Sequence, residues 1–138
     1  MMEVTMFVDG SVRKASQADS RGRGAYKFVV TNKGGQLLHD QAFREENQTV
    51  PETEIKALIK GLEWFDKCAY CKNDTMLHVL IDSELVYKWM ISEYRVKAEN
   101  IMPFYYKAKG LIETLERKGV AVKLEKIRGK ANLAHLEA

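Results

Sequence analysis

Acidic residues at the ends of apolar segments are the feature that most restricts how this chain can fold. Asp9 ends the strand-like run 4–8, and Asp82 ends a second run at 76–81. Glu54 lies near the start of a segment whose apolar residues recur at helical spacing. A carboxylate after an apolar strand loses hydration unless a positive group meets it. Acids brought together also raise each other's pKa values. A divalent cation resolves that conflict, and two cations about 3.5–4 Å apart would suit in-line attack on a phosphodiester.

Each of these acids also has an ordinary structural explanation. Asp9 begins Asp-Gly-Ser, and Asp-Gly is a common turn dipeptide. Asp82 could cap the helix that follows it. Glu54 competes with Glu52, because both lie at edges of the apolar stripe and the helix dipole favours any carboxylate in a first turn. Spacing alone does not choose between Glu52 and Glu54.

Periodicity and turn signals predict one α/β domain over residues 1–138. The strand-like runs are 3–9, 25–30, 36–45, 76–81 and 120–127. The helical runs are about 52–66, 83–90, 103–118 and 131–138. Gly34 and Gly35 suit a tight turn between the second and third strands, and the crossover before 76–81 is long enough for parallel pairing with the first strand. The order βββαβααβα predicts a mixed five-stranded sheet, three antiparallel strands then two parallel ones, flanked by helices.

The composition is that of a globular chain that does not enter a membrane. Hydrophobic residues make up 46% and charged residues 30% of the sequence, and no apolar run approaches the roughly 20 residues of a membrane span. Asp9 interrupts the first apolar stretch too early for a signal peptide, so we expect a cytoplasmic location. The net charge of +3 permits a nucleic-acid partner without requiring one.

Cys68 and Cys71 are the two cysteines of the chain. A redox pair of the thioredoxin type would be expected near a strand-to-helix turn, whereas this pair follows a helix end. A zinc site would need two more ligands, and the sequence has no second pair of cysteines. We interpret both as reduced structural thiols.

Three segments, in this order, resemble the acidic motifs of the type 1 ribonuclease H family. They are Phe7-Val8-Asp9-Gly10-Ser11, Glu52-Thr53-Glu54-Ile55-Lys56-Ala57-Leu58 and Leu80-Ile81-Asp82-Ser83. In the family, the helix glutamate is followed by two residues, an alanine and an aliphatic residue, a pattern that Glu54 matches and Glu52 does not. The element order is also that of the ribonuclease H fold. The resemblance covers nearly the whole chain, and its motifs are specific jointly and weak singly.

The fourth acid of the family is replaced in this chain. The family's last helix begins with a pattern like Asn-x-x-Ala-Asp-x-x-Ala, and alignment of both alanines places His135 where the aspartate is usual. Glu137 is an alternative fourth ligand. Imidazole is a good ligand for borderline metals such as Mn²⁺ and a poorer one for Mg²⁺. We therefore expect two Mg²⁺ or Mn²⁺ ions, with Mn²⁺ favoured, at a catalytic site formed by Asp9, Glu54, Asp82 and His135.

The resemblance implies a monomeric endoribonuclease that hydrolyses the RNA strand of RNA/DNA hybrids and leaves 3′-hydroxyl and 5′-phosphate ends. Asp9 would bridge both metal ions, and Glu54 would also lie near the RNA 2′-hydroxyl that distinguishes RNA from DNA. Two alternatives remain open: a degenerate nucleic-acid-binding module without turnover, and a metal-dependent nuclease of the same fold that acts on another nucleic acid such as DNA.

The expected nucleic-acid contacts combine motif residues with basic residues that flank the candidate metal ligands. They are Gly10, Ser11, Arg13, Lys14, Arg21, Arg23, Ser83, Arg128 and Lys130. Several family features are replaced or short: Val50-Pro51 stands where two asparagines usually precede the helix glutamate, and the basic segment 12–23 replaces a glycine-rich loop. Arg128-Gly129-Lys130 replaces a mobile histidine loop, and the segment 92–99, a basic protrusion in some members, holds only two cations.

Overall fold

The computed structural model of the chain describes residues 1–136 and contains one sheet with three helices. The strands are β1 (Met2–Arg13), β2 (Gly22–Asn32), β3 (Leu37–Gln48), β4 (Thr75–Ile81) and β5 (Val120–Lys126). The helices are α1 (Val50–Lys67), α2 (Glu84–Met90) and α3 (Met102–Arg117). No helix within residues 1–136 is both long enough and apolar enough to cross a membrane.

The sheet is mixed, in the order β3-β2-β1-β4-β5. β1, β2 and β3 pair antiparallel, whereas β4 pairs parallel with both β1 and β5. This confirms the predicted architecture. The register pairs Val8 of β1 with Ile81 of β4. Because parallel strands point the same way, the residues that follow this pair, Asp9 and Asp82, lie side by side at one end of the sheet.

α1 packs its apolar stripe across β1 and β2 and provides the centre of the core. Ile55, Leu58, Leu62 and Phe65 are each completely buried. The helix begins at Val50, two residues before its predicted start: Thr49 accepts a hydrogen bond from the backbone N–H of Glu52, and the proline lies in the first turn. The first turn of α1 is thereby held at the same end of the sheet as the two aspartates.

The helix predicted over 131–138 is not an α-helix within the residues described. Gly129–Ala131 form a single 3₁₀ turn, and 132–136 have no regular helix. A continuing helix would direct the backbone N–H of Leu136 to the carbonyl of Asn132. Instead that N–H donates to Oδ2 of Asp9 at 2.8 Å. The prediction was therefore wrong for 131–136, and the alternative ligand Glu137 lies outside the described residues.

Cys68 and Cys71 are both free thiols at the carboxyl end of α1. Burial raises the pKa of both thiols above the ordinary value. A raised pKa lowers the fraction of reactive thiolate at neutral pH. The geometry therefore agrees with the interpretation of the pair as reduced structural residues.

Candidate metal centre

Asp9, Asp82 and His135 converge at the end of the sheet where β1 and β4 run side by side. One potential ligand atom from each of the three lies within 4.8 Å of the others, and this is the single group of its kind among residues 1–136. Nδ1 of His135 is 3.8 Å from Oδ2 of Asp9. Asp9 is almost fully buried, whereas His135 is largely exposed. The structure thus brings three of the four predicted ligands into one cluster.

Glu54 lies near enough to this cluster for the charges of Asp82 and Asp9 to raise its pKa, and two glycines let α1 approach the sheet closely. A Cβ on Gly10 would lie 2.5 Å from the backbone carbon of Thr53 and 2.6 Å from the backbone nitrogen of Glu54. A Cβ on Gly24 would lie 2.7 Å from Cγ2 of Thr53. Any side chain at Gly10 would push the first turn of α1 away from β1. The sequence signal for this contact was Gly10 itself. Taken alone, the Asp9-Gly10 dipeptide indicates only a possible turn.

Burial and the repulsion between neighbouring carboxylates make negative charge unfavourable in this site. The pKa of Asp9 is raised to about 6: burial is the main cause and the charge of Asp82 acts in the same direction, while hydrogen bonds from the backbone of Leu136 and Gly10 oppose the rise. Burial also raises the pKa of Glu54 to about 8, with the charges of Asp82 and Asp9 acting in the same direction. These shifts mean that the ionised forms of Asp9 and Glu54 are unfavourable in the metal-free site.

A divalent cation fits this arrangement of groups. Carboxylate oxygens and an imidazole nitrogen are ligands that first-row divalent metals accept, and the ligand atoms of Asp9, Asp82 and His135 already lie near one another. A cation would also offset the burial and the repulsion that together raise the pKa values of Asp9 and Glu54. Proteins that hold such a charge cluster without a cation lose stability, so the arrangement favours metal binding over a purely structural role.

Glu52 has a structural role that Glu54 does not share. Its carboxylate accepts hydrogen bonds from the Thr49 backbone at 2.7 Å and from the Arg21 guanidinium at 2.7 Å. Burial alone would raise the pKa of Glu52, but these hydrogen bonds, with another from Asn100, hold it below the ordinary value. Glu52 is therefore a neutralised helix cap, and Glu54 is the glutamate that faces the acidic cluster.

Ser83, and not Asp82, caps α2. The Ser83 side chain accepts a hydrogen bond from the backbone N–H of Val86 at 3.2 Å. The alternative explanation of Asp82 as a capping residue is therefore not needed, and its carboxylate remains available to the cluster. Ser83 also forms a side-chain hydrogen bond with Glu54, which opposes part of the rise in that pKa.

Asn132 supports the site and was not predicted to do so. Its buried side-chain amide donates to the backbone carbonyl of Val8 at 2.8 Å, and its Oδ1 accepts from the backbone of Ala134 at 2.9 Å. These bonds attach the chain after β5 to the middle of β1, next to Asp9. His135 is thereby placed beside Asp9. The sequence signal for this role was Asn132 itself, which matches the asparagine of the family-like pattern. Its partner, the Val8 carbonyl, is distant in sequence and could not be predicted from a local pattern.

The predicted nucleic-acid contacts fall into two groups in the structure. The first group is buried or already has partners within the protein: Gly10 is buried against α1, Ser83 caps α2, Arg21 binds Glu52, and Arg23 pairs with Glu46 at 3.0 Å. The Ser11 hydroxyl is buried and has no hydrogen-bond partner among the described residues. The second group is exposed and has no acidic partner within residues 1–136: Arg13, Lys14, Arg128 and Lys130. A Cβ on Gly129, between the last two, would lie 3.5 Å from Oδ2 of Asp82. The second group is therefore the better placed to meet phosphates.

Comparison with known proteins agrees with this fold. The chain matches the model of a family described as reverse transcriptase-like over residues 8–128. It is similar to LC11-RNase H1, isolated from compost by a metagenomic approach, with 22% identity over 98% of this chain and 91% of that one, at a TM-score of 0.84. It is also similar to the N-terminal RNase H domain of a Mycobacterium tuberculosis protein, with 22% identity over 96% and 86% of the two chains and a TM-score of 0.81.

A third similar structure comes from an archaeon. RNase H1 from Halobacterium salinarum NRC-1 has 17% identity over 96% of this chain and 91% of that one, with a TM-score of 0.81. No significant match occurs among curated protein sequences. Identities this low establish the fold alone, whereas the family model covers most of the chain. This chain therefore belongs to the reverse transcriptase-like family and has the fold of the type 1 ribonucleases H.

Proposed function

We propose that this protein is a metal-dependent endoribonuclease that hydrolyses the RNA strand of RNA/DNA hybrids and leaves 3′-hydroxyl and 5′-phosphate ends. The observation that carries the proposal is the grouping of Asp9, Glu54 and Asp82, where burial and the neighbouring negative charges together raise the pKa values of the first two. A protein that only bound nucleic acid would gain nothing from negative charge beside phosphates. The similar LC11-RNase H1 has been crystallised in complex with an RNA/DNA hybrid, which supports the choice of substrate.

The metal would be held by Asp9, Asp82 and His135, with Glu54 beside them. When bound, two divalent cations would supply Lewis-acid stabilisation of the attacking and leaving oxygens of an in-line displacement. Asp9, the most buried member, would hold both cations in place. Glu54 would accept a hydrogen bond from the RNA 2′-hydroxyl, a group that DNA lacks. His135, as a neutral nitrogen ligand, would favour Mn²⁺ over Mg²⁺.

Basic side chains would position the hybrid without reading its sequence. Arg13 and Lys14 line a concave surface of about 530 Å³ at the hairpin between β1 and β2. Arg128 and Lys130 are exposed on either side of Gly129, which lies close to the Asp82 carboxylate. Contacts of this kind release counterions from the phosphate backbone, so affinity for the hybrid should fall steeply as salt increases.

The deciding assay compares end-labelled RNA/DNA hybrid with double-stranded DNA, double-stranded RNA and single strands, first with Mg²⁺ and then with Mn²⁺. We expect cleavage of the RNA strand of the hybrid alone, and none in excess chelator. Double-stranded DNA cut as fast as the hybrid would contradict the substrate assignment. Tight binding to the hybrid without cleavage under either metal would instead indicate a binding module that has lost turnover.

A further inference from the structure

The two edges of the sheet differ in how they are protected from pairing with another strand. An edge strand has unpaired backbone groups, and proteins usually block such an edge with lysine, proline, a bulge, a short strand or a covering helix. β5, at one edge, has seven residues, two exposed lysines at 123 and 126, and contacts from α2 and α3. β3, at the other edge, has twelve residues. The edge formed by β3 is therefore the one that can accept a further strand.

The middle of β3, residues 39–45, is a regular edge without these blocking features. Its register with β2 is continuous from His39, opposite Val30, to Glu45, opposite Gly24, and the irregularities of this strand pair lie outside that stretch. It contains neither lysine nor proline. In an antiparallel strand, alternate residues direct their backbone N–H and C=O groups away from the paired neighbour. Among the described residues, those groups of 39–45 have no other backbone partner.

The side chains along this edge complement those of a second copy. Asp40 and Arg44 are four residues apart in the strand, so both point to the same face of the sheet, with Ala42 midway between them. When two copies of β3 pair antiparallel about Ala42, each Asp40 lies opposite the partner's Arg44, and twofold symmetry makes this contact occur twice. On the other face, each His39 lies opposite the partner's Glu45. Opposite charges in such cross-strand positions stabilise the pair.

Neighbouring registers of the same pairing lose this match. Pairing about Gln41 places Asp40 opposite the partner's Ala42, which offers no charge. Pairing about Phe43 places Asp40 opposite the partner's Glu46, where like charges repel. Charges on an edge usually protect it because they repel an incoming strand. On β3 they attract a second copy in the register about Ala42, so they select one pairing.

Both partners of this contact are accessible in the single chain. Arg44 is exposed and forms no ion pair within residues 1–136. Asp40 lies 3.6 Å from Nζ of Lys27, and 44% of its side chain is exposed. The Asp40 carboxylate can therefore accept a second cation. Ala42, at the centre of the pairing, is exposed and too small to obstruct the approach of another strand.

From this arrangement we propose that β3 is an interaction surface for a second copy of this chain. Two β3 strands pair antiparallel about Ala42 and join two five-stranded sheets into one. Backbone hydrogen bonds supply the attraction, as they do when a strand is added to any sheet edge, and the two Asp40–Arg44 contacts fix the register. A strand pair alone buries less surface than a standard protein interface, so the dimer is weak. The monomer that the family resemblance implies is then the form at low protein concentration.

Sedimentation velocity of the whole chain, from micromolar to millimolar concentration, tests the proposal. We expect the sedimentation coefficient to rise with concentration to that of a dimer and no further, because the pairing occupies the β3 edge of both copies. The measurement needs neither metal nor nucleic acid. Failure of the proposed nuclease activity would therefore not affect its result.

Charge reversals then test the register. Arg44→Glu opposes two pairs of acids across the interface and Asp40→Lys opposes two pairs of cations, so each variant should weaken its own dimer about tenfold or more. An equimolar mixture of the two should associate about as strongly as the parent, because each charge then meets its opposite. Ala42→Lys places like charges at the centre of the pairing and should also weaken the dimer. Arg95→Glu, at an exposed cation after α2, is the control for net charge and should dimerise as the parent does.

Three results would overturn the proposal, given circular dichroism and melting temperatures that show folded variants. The first is a parent protein that sediments as a monomer up to millimolar concentration. The second is that Arg44→Glu and Ala42→Lys dimerise as strongly as the parent, which would place the contact on another surface. The third is that the mixture of Arg44→Glu and Asp40→Lys associates no better than either variant alone, which would exclude the register about Ala42.

Discussion

Gly10 touches Thr53 so closely that a single methyl group between β1 and α1 would lie 2.5 Å from the Thr53 backbone. This contact sets the position of the first turn of α1 against β1, and therefore the position of Glu54 relative to Asp9. The site depends on a residue without a side chain as much as on its carboxylates.

Gly10→Ala should therefore destabilise the fold and reduce cleavage together. The new Cβ meets backbone atoms, which cannot rotate away, so α1 must move; overpacking of this kind costs about 1–3 kcal/mol. Gly110→Ala is the matched control, because a Cβ on Gly110 in α3 meets nothing within 4 Å. It should raise stability by about 0.5–1 kcal/mol through helix propensity. Denaturant unfolding and hybrid cleavage of both variants check this, and unchanged activity in Gly10→Ala would show that the contact is not required.

Asp9→Asn should abolish cleavage while the fold is kept. Asp9 is the buried member of the cluster, and its ionised form is unfavourable there, as its pKa of about 6 shows. Removal of the charge should leave the metal-free protein as stable or more stable, whereas turnover should fall by several powers of ten because the metal is no longer held. Circular dichroism, thermal unfolding and single-turnover cleavage test both halves of this prediction. Residual activity close to that of the parent would remove Asp9 from the catalytic group.

Glu54→Gln and Glu52→Gln should have opposite effects. Glu54→Gln should abolish cleavage without loss of stability, since it removes one of the repelling charges. Glu52→Gln should keep most of the activity but lower stability by about 1 kcal/mol, because glutamine can still cap α1 but no longer forms the ion pair with the half-exposed Arg21. Parallel cleavage and urea unfolding curves distinguish them. Equal losses of activity would mean that the wrong glutamate has been assigned to the site.

The metal-free protein should become less stable as pH rises from about 4 to about 8. The pKa of Asp9 is raised to about 6 and that of Glu54 to about 8, so the folded protein binds more protons than the unfolded chain in this range. These two groups favour folding at low pH, and that contribution is lost as each ionises in the fold. For Asp9 alone the effect is about 3 kcal/mol.

Thermal unfolding across this pH range, with and without divalent metal, measures the effect. Mn²⁺ or Mg²⁺ should raise the melting temperature most at the alkaline end, where both carboxyls are ionised and can bind a cation. Glu54→Gln should remove much of the pH dependence. A melting temperature that does not respond to metal at any pH would contradict the assignment of a metal centre.

His135 should determine which metal supports cleavage. Its Nδ1 lies 3.8 Å from Asp9, where imidazole would be a ligand that Mn²⁺ accepts more readily than Mg²⁺. The parent should therefore be more active with Mn²⁺, His135→Asp should improve cleavage with Mg²⁺, and His135→Ala should weaken cleavage with either metal, though less than Asp9→Asn. Metal titrations of the three proteins on one hybrid test this. If His135→Ala matches the parent with both metals, the site works with three carboxylates.

Local patterns were enough to predict the strands and the three long helical runs. Apolar alternation marks the strands, while Pro51 and Gly119 mark where α1 begins and where α3 has ended. The neighbourhood of Asp9 and Asp82 also followed from the sequence, because a long crossover predicts that β1 and β4 pair in parallel. The elements depend on residues close together in the chain, and the order of the elements restricts how β1 and β4 can pair.

The remaining features depend on partners that are distant in sequence, and only the tertiary structure decided them. Glu52 and Glu54 share one helical turn, yet Arg21 neutralises the first and close packing on Gly10 directs the second to the acids. The end of the chain has a helix-like pattern, yet the Leu136 N–H binds Asp9, far away in sequence. A buried carboxylate that lacks hydration is a stronger acceptor than a solvated helix carbonyl. Local propensity is worth less than such a contact, and for this reason the sequence predicted the elements but not the surroundings of the site.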